Sequence, residues 1–235
     1  MASRNKNSEA VSKRVLSARE VILNDESPFS LIEAYKSLRT NITFSLPGSE
    51  GKVIGVTSAM RGDGKSTNCI NTAISFADLG KKVILIDGDM RLPTVAEKMG
   101  FNNSPGLSDV IVGVAKPSEA IVMKQENFYI FPAGRIPKDP TGLLQSKQMA
   151  SLIAKLKELY DYIFIDLPPV TTVTDAAIIA PYVDGYLVVV RHETTDMREL
   201  NDAIKLLRIA DAKILGFVYN DAPTTAKKYY SYYKK

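Results

Sequence analysis

Apolar runs recur along most of the chain, and several of them contain no polar residue. Residues 83–86 and 187–190 are the clearest examples. A strand that is apolar on both sides is covered on both faces, as in a parallel sheet. Runs of this kind predict six strands, at residues 53–57, 82–87, 128–131, 162–167, 186–190 and 214–219.

Segments with a helical spacing of apolar residues lie between these strands. They predict four helices, at residues 67–79, 144–160, 172–182 and 196–210. An earlier helix is predicted from a capping box at residues 30–33, Ser-Leu-Ile-Glu, and it would bury Leu31, Tyr35, Leu38 and Ile42. Strands that alternate with helices indicate an α/β fold, a doubly wound, mostly parallel sheet flanked by helices. Such sheets bind ligands beyond the carboxyl ends of their strands.

A glycine-rich segment follows the first predicted strand. Residues 59–67 read Ala-Met-Arg-Gly-Asp-Gly-Lys-Ser-Thr. A strand, a glycine loop and a helix joined at Gly-Lys-Ser are typical of a P-loop, in which backbone N–H groups and the helix dipole bind phosphate. The alternative is a glycine turn before an ordinary helix. One residue departs from the strict pattern, since Ala59 stands where that pattern has its first glycine. The predicted contacts to ATP are Gly62, Asp63, Gly64, Lys65, Ser66 and Thr67.

Two further predicted strands end in carboxylates, at the edge of the sheet that carries the P-loop. Asp87 and Asp89 follow one strand, and Asp166 ends another. Unpaired charge at the end of a buried strand is costly. Nucleotide-bound Mg²⁺ is a suitable partner, since it takes a few carboxylates, phosphates and waters. We therefore expect Mg²⁺ near Ser66, Asp89 and Asp166, with Lys65 on the β- and γ-phosphates. The alternative is that these acids cap the helices that follow.

Other polar residues near the strand ends allow more than one interpretation. Arg91 would pair with Asp89, contact a phosphate or lie on the surface. Asn220 ends the last predicted strand and either reads adenine or forms a turn. His192, the only histidine, has no acid or serine placed for a triad and is predicted to be a loop residue. Cys69, the only cysteine, is predicted to pack in the helix after the P-loop.

Composition and charge indicate how the chain is organised. The 235 residues are 45% hydrophobic and 24% charged, and no apolar run approaches the roughly 20 residues of a membrane span. One cysteine and the absence of a signal-peptide pattern favour the cytoplasm. Much of the net charge of +4 lies at the two ends. We expect a flexible basic segment at 1–27, a P-loop domain at 28–223 and a tyrosine-rich tail at 224–235.

The motifs, their order and their context resemble those of the bacterial tyrosine kinases of capsular and exopolysaccharide assembly. The similarity extends from about residue 27 to the last residue. It includes 131–134, Phe-Pro-Ala-Gly, then 137–140, Pro-Lys-Asp-Pro, and 160–170, Tyr-Asp-Tyr-Ile-Phe-Ile-Asp-Leu-Pro-Pro-Val. Members of this family use a P-loop rather than the protein-kinase fold, and they phosphorylate a C-terminal tyrosine cluster between subunits of a ring. In Gram-positive members a separate membrane protein supplies a cytoplasmic segment that activates the kinase.

The resemblance implies a protein-tyrosine kinase that uses ATP and Mg²⁺, with Lys65, Asp87, Asp89 and Asp166 as catalytic residues. Asp87 would accept the tyrosine proton, and the acceptors would be Tyr229, Tyr230, Tyr232 and Tyr233. On composition alone, that tail also suits contact with nucleic acid or a membrane, or a strand packed on a neighbouring subunit. The implied partners are further copies of the chain and a membrane-anchored activator, which would recruit a cytoplasmic kinase to the inner face of the plasma membrane. No nucleic-acid partner is expected.

Lys36 departs from the pattern of this family, and Met60 departs from the pattern of a related one. The family's ring-contact motif, Glu-x-x-Arg-x-x-Arg, is represented by Glu33, Lys36 and Arg39, and lysine keeps the charge but loses the bidentate fork of arginine. The related partitioning and division-site ATPases are the main alternative family. Their P-loop begins with a lysine that crosses the dimer interface, and Met60 stands at that position. Methionine cannot neutralise a phosphate, which disfavours a switch ATPase. A nonenzymatic nucleotide-binding scaffold is the third possibility.

Overall fold

A seven-stranded sheet forms the middle layer of the computed structural model, which describes residues 22–48 and 50–223. In chain order the strands are β1 (Lys52–Ser58), β2 (Val83–Asp87), β3 (Val122–Gln125), β4 (Phe128–Phe131), β5 (Tyr162–Asp166), β6 (Gly185–Arg191) and β7 (Ile214–Asn220). Their order across the sheet is β3-β4-β2-β5-β1-β6-β7. Within the described residues every pairing is parallel except that of β3 with β4.

Helices cover both faces of the sheet. They are α1 (Phe29–Ser45), α2 (Lys65–Ala77), α3 (Val95–Met99), α4 (Leu107–Ile111), α5 (Pro117–Ala120), α6 (Pro140–Leu144), α7 (Lys147–Leu159), α8 (Asp175–Ile178), α9 (Met197–Ile209) and a 3₁₀ turn at Ala180–Tyr182. Val83 and Leu85 of β2 pack in one core with α1, α2 and α3, whereas Ile84 and Ile86 pack in a second core with α4 to α9. This alternation confirms the predicted doubly wound α/β fold.

The predicted strands are confirmed at all six positions, each within one residue of the observed ends. The seventh strand, β3, was not predicted. All four of its residues are exposed, and it pairs only at the edge of the sheet, with β4. A strand that buries no side chain carries no hydrophobic pattern, so the sequence offered no signal for it.

The capping box predicted at residues 30–33 was wrong. α1 begins two residues earlier, at Phe29, and the carbonyl of Pro28 accepts the N–H groups of Leu31 and Ile32 at 2.9 and 3.1 Å. Proline is tolerated at this N-cap because the N–H that it lacks would have no partner within the helix. Glu33 instead pairs with Lys36 at 2.8 Å.

Two further helix predictions had the wrong bounds. The helix predicted at 144–160 is observed as α7, which begins three residues later, because the side chain of Ser146 caps α7 by accepting the N–H of Met149 at 3.1 Å. Leu144 instead ends α6. The segment 172–182 forms only α8 and the 3₁₀ turn, which contains Pro181. Proline has no N–H to donate within a helix, so α8 ends after one turn.

The two ends of the chain lie mostly outside the described residues. Predictions for residues 1–21 and 224–235 therefore have no structural counterpart here, and the proposed division of the chain into three segments stays a prediction. Leu23 is buried, and its N–H donates to Asn71 Oδ1 at 2.8 Å. Among the described residues, no helix has both the length and the apolar character needed to cross a membrane.

Phe76→Ala is expected to lower the free energy of unfolding by about 3–5 kcal/mol. Phe76 is buried, and its ring centroid lies 4.2 Å from that of Tyr162 and 5.4 Å from that of Phe164. Denaturant unfolding measures the change. Leu79→Ala is the control, since Leu79 is 57% exposed and should change stability by less than about 0.5 kcal/mol. Equal losses in the two variants would contradict this account of the core.

Candidate active site

The strand order brings three distant segments of the chain to one edge of the sheet. Because β5 lies between β1 and β2, Asp166 is in register with Val56 on one side and with Asp87 on the other. The P-loop leaves β1 at the same edge. Neighbouring parallel strands end together, so the phosphate-binding loop and both acidic motifs meet as predicted.

The P-loop has a backbone suited to binding phosphate. Gly62 and Gly64 have φ angles of 91° and 94°, in the left-handed region that favours glycine. A Cβ on Gly64 would lie 2.2 Å from Nδ2 of Asn220, whereas a Cβ on Gly62 would meet no atom within 4 Å. In the described part of the chain no side chain caps α2, so the first N–H groups of this helix and the positive end of its dipole face the loop.

Side chains at or just after the ends of β6 and β7 hold the loop in place. Nδ2 of Asn220 donates to the carbonyl of Asp63 at 2.8 Å, and the Arg191 guanidinium donates to the carbonyl of Gly62 at 3.0 Å. The buried Asp63 carboxylate accepts a backbone N–H of the loop at 2.9 Å and the Thr195 hydroxyl at 2.8 Å. Arg191 and Thr195 were not predicted from the sequence. Arg191 ends β6 and Thr195 follows it, and this position at the same edge of the sheet was the one available signal.

Lys65 points into the acidic cluster. Its Nζ lies 3.0 Å from Oδ2 of Asp89, 3.3 Å from Oδ1 of Asp166 and 3.3 Å from Oγ of Ser66. Burial on its own would lower the pKa of Lys65, but the charges of Asp166 and Asp89 outweigh burial, and the pKa is raised. The lysine is therefore a fixed positive charge between the P-loop and the two acids.

Asp87 is fully buried, and backbone N–H groups bind both of its oxygens. Oδ1 accepts the N–H of Asp89 at 3.2 Å, and Oδ2 accepts those of Thr94 and Val95 at 3.2 and 3.1 Å, at the start of α3. Asp87 therefore caps the helix that follows, which is the alternative role considered for these acids. Burial, and then the charge of Asp166 on the neighbouring strand, raises the pKa of Asp87 to about 8.

Asp166 has an atom suited to a metal ion or its water shell. Its Oδ2 is buried and makes no hydrogen bond with the described residues. Burial raises the pKa of Asp166, whereas Lys65 and Ser66 oppose the rise. A buried oxygen without a partner is costly, and Mg²⁺ or a water bound to it would satisfy this one. Among residues 22–48 and 50–223, no three acidic, histidine or cysteine side chains form a metal cluster. Mg²⁺ commonly takes fewer protein ligands and adds phosphate oxygens.

The structure decides the open interpretation of Arg91 and tests the predictions for His192 and Cys69. Arg91 pairs with the buried Asp175 at 3.0 Å, a partner that the sequence analysis did not consider. His192 lies in the loop after β6, as predicted, and its Nδ1 contacts the hydroxyl of Tyr219. Cys69 is buried in α2, which confirms its packing role, and burial raises the pKa of its thiol.

The three residues predicted to contact another subunit lie on α1, apart from the acidic cluster. Glu33 and Lys36 form a half-exposed pair. Arg39 turns towards α2, where its guanidinium donates to the backbone carbonyl of Ser75 and lies 3.4 Å from the Ser75 hydroxyl. Arg39 therefore holds α1 against α2, and the predicted subunit contacts stay predictions.

The raised pKa of Asp87 predicts a pH dependence of stability. The folded protein keeps this proton up to about pH 8, whereas the unfolded chain loses it near the ordinary value of 3.8. Between these values the native state binds more protons, so the contribution of Asp87 to stability is lost as the pH rises. From about pH 5 to about pH 8, the unfolding free energy of the wild type should fall relative to Asp87→Asn, by at most about 1.4 kcal/mol per pH unit. A constant difference would contradict the raised pKa.

Comparison with known proteins identifies the family. Residues 51–214 match the AAA domain family. The putative tyrosine-protein kinase CapB of Staphylococcus aureus is 34% identical over 224 residues, which cover 95% of this chain and 98% of that protein. The crystal structure of the chimerical protein CapA2B2 has a TM-score of 0.81 and 34% sequence identity, over 88% of this chain and 91% of that chain.

A protein of the alternative class is similar over a smaller part of the chain. The septum site-determining protein MinD from Pyrococcus horikoshii OT3, complexed with Mg-ADP, has a TM-score of 0.61 and 28% identity, and the match covers 72% of this chain and 70% of that one. The P-loop fold is therefore common to both classes, but the match to CapA2B2 is longer and closer. With the near full-length similarity to CapB, this means that the chain belongs to the bacterial tyrosine-protein kinases.

Proposed function

We propose that this kinase transfers phosphate from ATP to the tyrosines at its own C terminus, from one subunit to another. The acceptors are Tyr229, Tyr230, Tyr232 and Tyr233. The observation that carries the proposal is the position of Lys65, held by Asp89 and Asp166 at the start of α2. A P-loop lysine beside strand-end carboxylates is suited to neutralising a phosphoryl group in transfer. The resemblance of the motifs further supports a role in regulating capsular or exopolysaccharide synthesis.

The residues at this edge of the sheet fit ATP with Mg²⁺. The N–H groups of residues 62–67 and the Lys65 ammonium would hold the phosphates, while Ser66, Asp89 and Asp166 would hold the metal. The buried Oδ2 of Asp166 supports this assignment. When bound, Mg²⁺ neutralises charge on the transferred group. Asn220 uses its Nδ2 to hold the loop, so its amide oxygen is the atom proposed to accept the adenine amino group.

The side chains of the site have separate roles in the transfer. Lys65 exchanges its carboxylate contacts for phosphate oxygens, whose negative charge favours the cation as the carboxylates do. The tyrosine oxygen forms the new bond to phosphorus and ADP leaves. Asp87 takes the tyrosine proton in its ionised form, after its own proton has left to solvent. A pKa of about 8 makes Asp87 a better match for a tyrosine hydroxyl, near 10, than an ordinary carboxyl. To act, Asp87 must exchange a backbone contact at the start of α3 for the hydroxyl.

Assembly and location extend the same proposal. Glu33, Lys36 and Arg39 of α1 are proposed to contact the next subunit of a ring. A membrane-anchored activator is proposed to bind the kinase and hold it at the inner face of the plasma membrane. Lysine and arginine residues near both ends of the chain would favour an anionic lipid surface. No nucleic-acid partner is proposed.

A switch ATPase is the second candidate, and the similarity to MinD with Mg-ADP favours it. Met60 opposes it. This side chain is partly buried against the core and brings no positive charge to the phosphates. Release of phosphate without any labelling of protein would distinguish such an ATPase from the kinase.

Incubation with Mg-ATP, followed by intact mass measurement and peptide sequencing, tests the kinase proposal. The wild type, with and without candidate activator segments, should carry phosphate on tyrosines of residues 229–233. Lys65→Met should lose nucleotide binding and labelling, whereas Asp87→Asn should bind ATP and lose labelling by about 100-fold or more. Lys205→Met and Asp202→Asn are matched controls in an exposed ion pair on α9, and both should label normally.

Each other outcome of this experiment selects a different conclusion. Phosphate release without labelling would establish the switch ATPase. Neither release nor labelling, with activator segments tested, would establish a scaffold. Full labelling of Asp87→Asn would exclude Asp87 as the proton acceptor and leave the kinase proposal intact.

Phosphorylation of the tail is expected to loosen the assembly. Each phosphate adds roughly −1.5 to −2 charges, which would make the basic tail acidic and repel it from the carboxylates of a neighbouring site. Sedimentation velocity of the phosphorylated protein should therefore show smaller species than that of the unmodified protein. A variant with all four acceptor tyrosines replaced by phenylalanine should stay assembled in the presence of ATP. Identical sedimentation of the phosphorylated and unmodified forms would rule this effect out.

A further inference from the structure

Four hydrogen bonds connect the segment before α1 to the P-loop. The N–H of Leu23 donates to Oδ1 of Asn71 at 2.8 Å, and Nδ2 of Asn71 donates to the Tyr35 hydroxyl at 3.1 Å. The Tyr35 hydroxyl donates to Oδ1 of Asn68 at 3.0 Å, and Nδ2 of Asn68 donates to the carbonyl of Gly64 at 2.9 Å. We name this series the Tyr35 relay.

The groups at the two ends determine the direction of every bond in the relay. The Leu23 N–H can only donate, and the Gly64 carbonyl can only accept. Each side chain between them must therefore accept on the Leu23 side and donate on the Gly64 side. Hydrogen bonds aligned in this way polarise one another and become stronger together.

The relay is shielded from water. The exposed fractions are 7% for Tyr35, 4% for Asn68 and zero for Asn71. Burial raises the pKa of Tyr35, and the hydrogen bond from Asn71 opposes the rise, so the hydroxyl keeps the proton that it donates. In such surroundings water does not readily replace a lost partner, and breaking one bond disturbs the next.

We propose that Tyr35 is a positioning residue for the P-loop, acting through Asn68. The Gly64 carbonyl and the Lys65 N–H belong to one planar peptide unit, so a bond that orients the carbonyl also orients the N–H. The same carbonyl accepts the backbone N–H of Asn68 at 3.0 Å, the first hydrogen bond of α2, and the Asn68 side chain adds a second bond to it. Because glycine is conformationally permissive, this second bond restricts the peptide further before phosphate arrives, which lowers the entropic cost of binding. The inference rests on the proposed function, in which these N–H groups bind nucleotide phosphates.

The place of Tyr35 on α1 gives the relay a second consequence. The Ser75 hydroxyl donates to the Tyr35 carbonyl at 3.3 Å, and Arg39 binds the Ser75 carbonyl. These bonds, together with those of the Tyr35 hydroxyl to Asn68 and Asn71, attach α1 to α2. The helix proposed to contact a neighbouring subunit is thus the helix that orients Gly64. Nucleotide affinity and contacts made by α1 are therefore coupled.

Titration calorimetry with Mg-ADP tests the inference on the full chain. Tyr35→Phe removes only the hydroxyl and should raise the Kd about fivefold, the effect of one hydrogen bond. Asn68→Ala should raise the Kd at least as much, and adding Tyr35→Phe to it should change nothing further. Tyr186→Phe is the matched control. Its buried hydroxyl donates to the Ala176 carbonyl in α8 at 2.7 Å, so its loss should lower the Tm and leave the Kd unchanged.

Several results would overturn the inference. One is an unchanged Kd for Mg-ADP in Tyr35→Phe or Asn68→Ala. Another is a Tyr35→Phe effect on the Kd that is equal in the wild type and in Asn68→Ala. The third is a rise in the Kd of Tyr186→Phe equal to that of Tyr35→Phe. If Tyr35→Phe does not fold, the Kd of Asn68→Ala decides between the outcomes. A wild-type protein that does not bind Mg-ADP would contradict the proposed function instead.

Discussion

The site depends first on the charge of Lys65. Three carboxyl groups lie together where the strands end, and burying them without compensation would be expensive. Lys65 pairs with Asp89 and Asp166, and a retained proton neutralises much of the charge of Asp87. If the lysine turns towards a phosphate, those acids lose their partner, and a bound cation must replace it. Nucleotide and metal are therefore expected to enter as one unit rather than separately.

The layers of the fold make this concentration of charge possible. β1, β5 and β2 are neighbours in the middle of the sheet, so their ends are surrounded by protein rather than by water. The layered arrangement also explains why α2 has buried polar residues. Asn68, Asn71 and Ser75 are buried because α1 covers them, and each has a hydrogen-bonding partner there. A helix placed between a sheet and a second helix can bury polar groups if its neighbours supply matching donors and acceptors.

Much of the fold and of the site could be read from local pattern. Continuous apolar strands, glycines at positive φ and acids at strand ends each leave a signal in a few consecutive residues. The residues that escaped prediction act through partners far along the chain. Arg91 meets Asp175, and Thr195 meets Asp63, in pairs separated by 84 and 132 residues. The spacing of residues along the sequence does not indicate which distant residues will pair. The capping box was wrong although its pattern is local. Ser30 and Glu33 have the right spacing, but α1 begins before them, with Pro28 as its N-cap.

The buried position of Cys69 has a practical consequence for measuring conformational changes with site-specific labels. A thiol needs solvent access and its ionised form to react with a maleimide, and this one lacks both, since it is fully enclosed and its pKa is raised. Towards such reagents the folded chain behaves as though it had no cysteine. A single cysteine introduced at any exposed position would therefore carry a fluorophore or spin label at that position alone. Cys69 does not have to be replaced first, so α2, which presents the phosphate-binding backbone, keeps its native sequence.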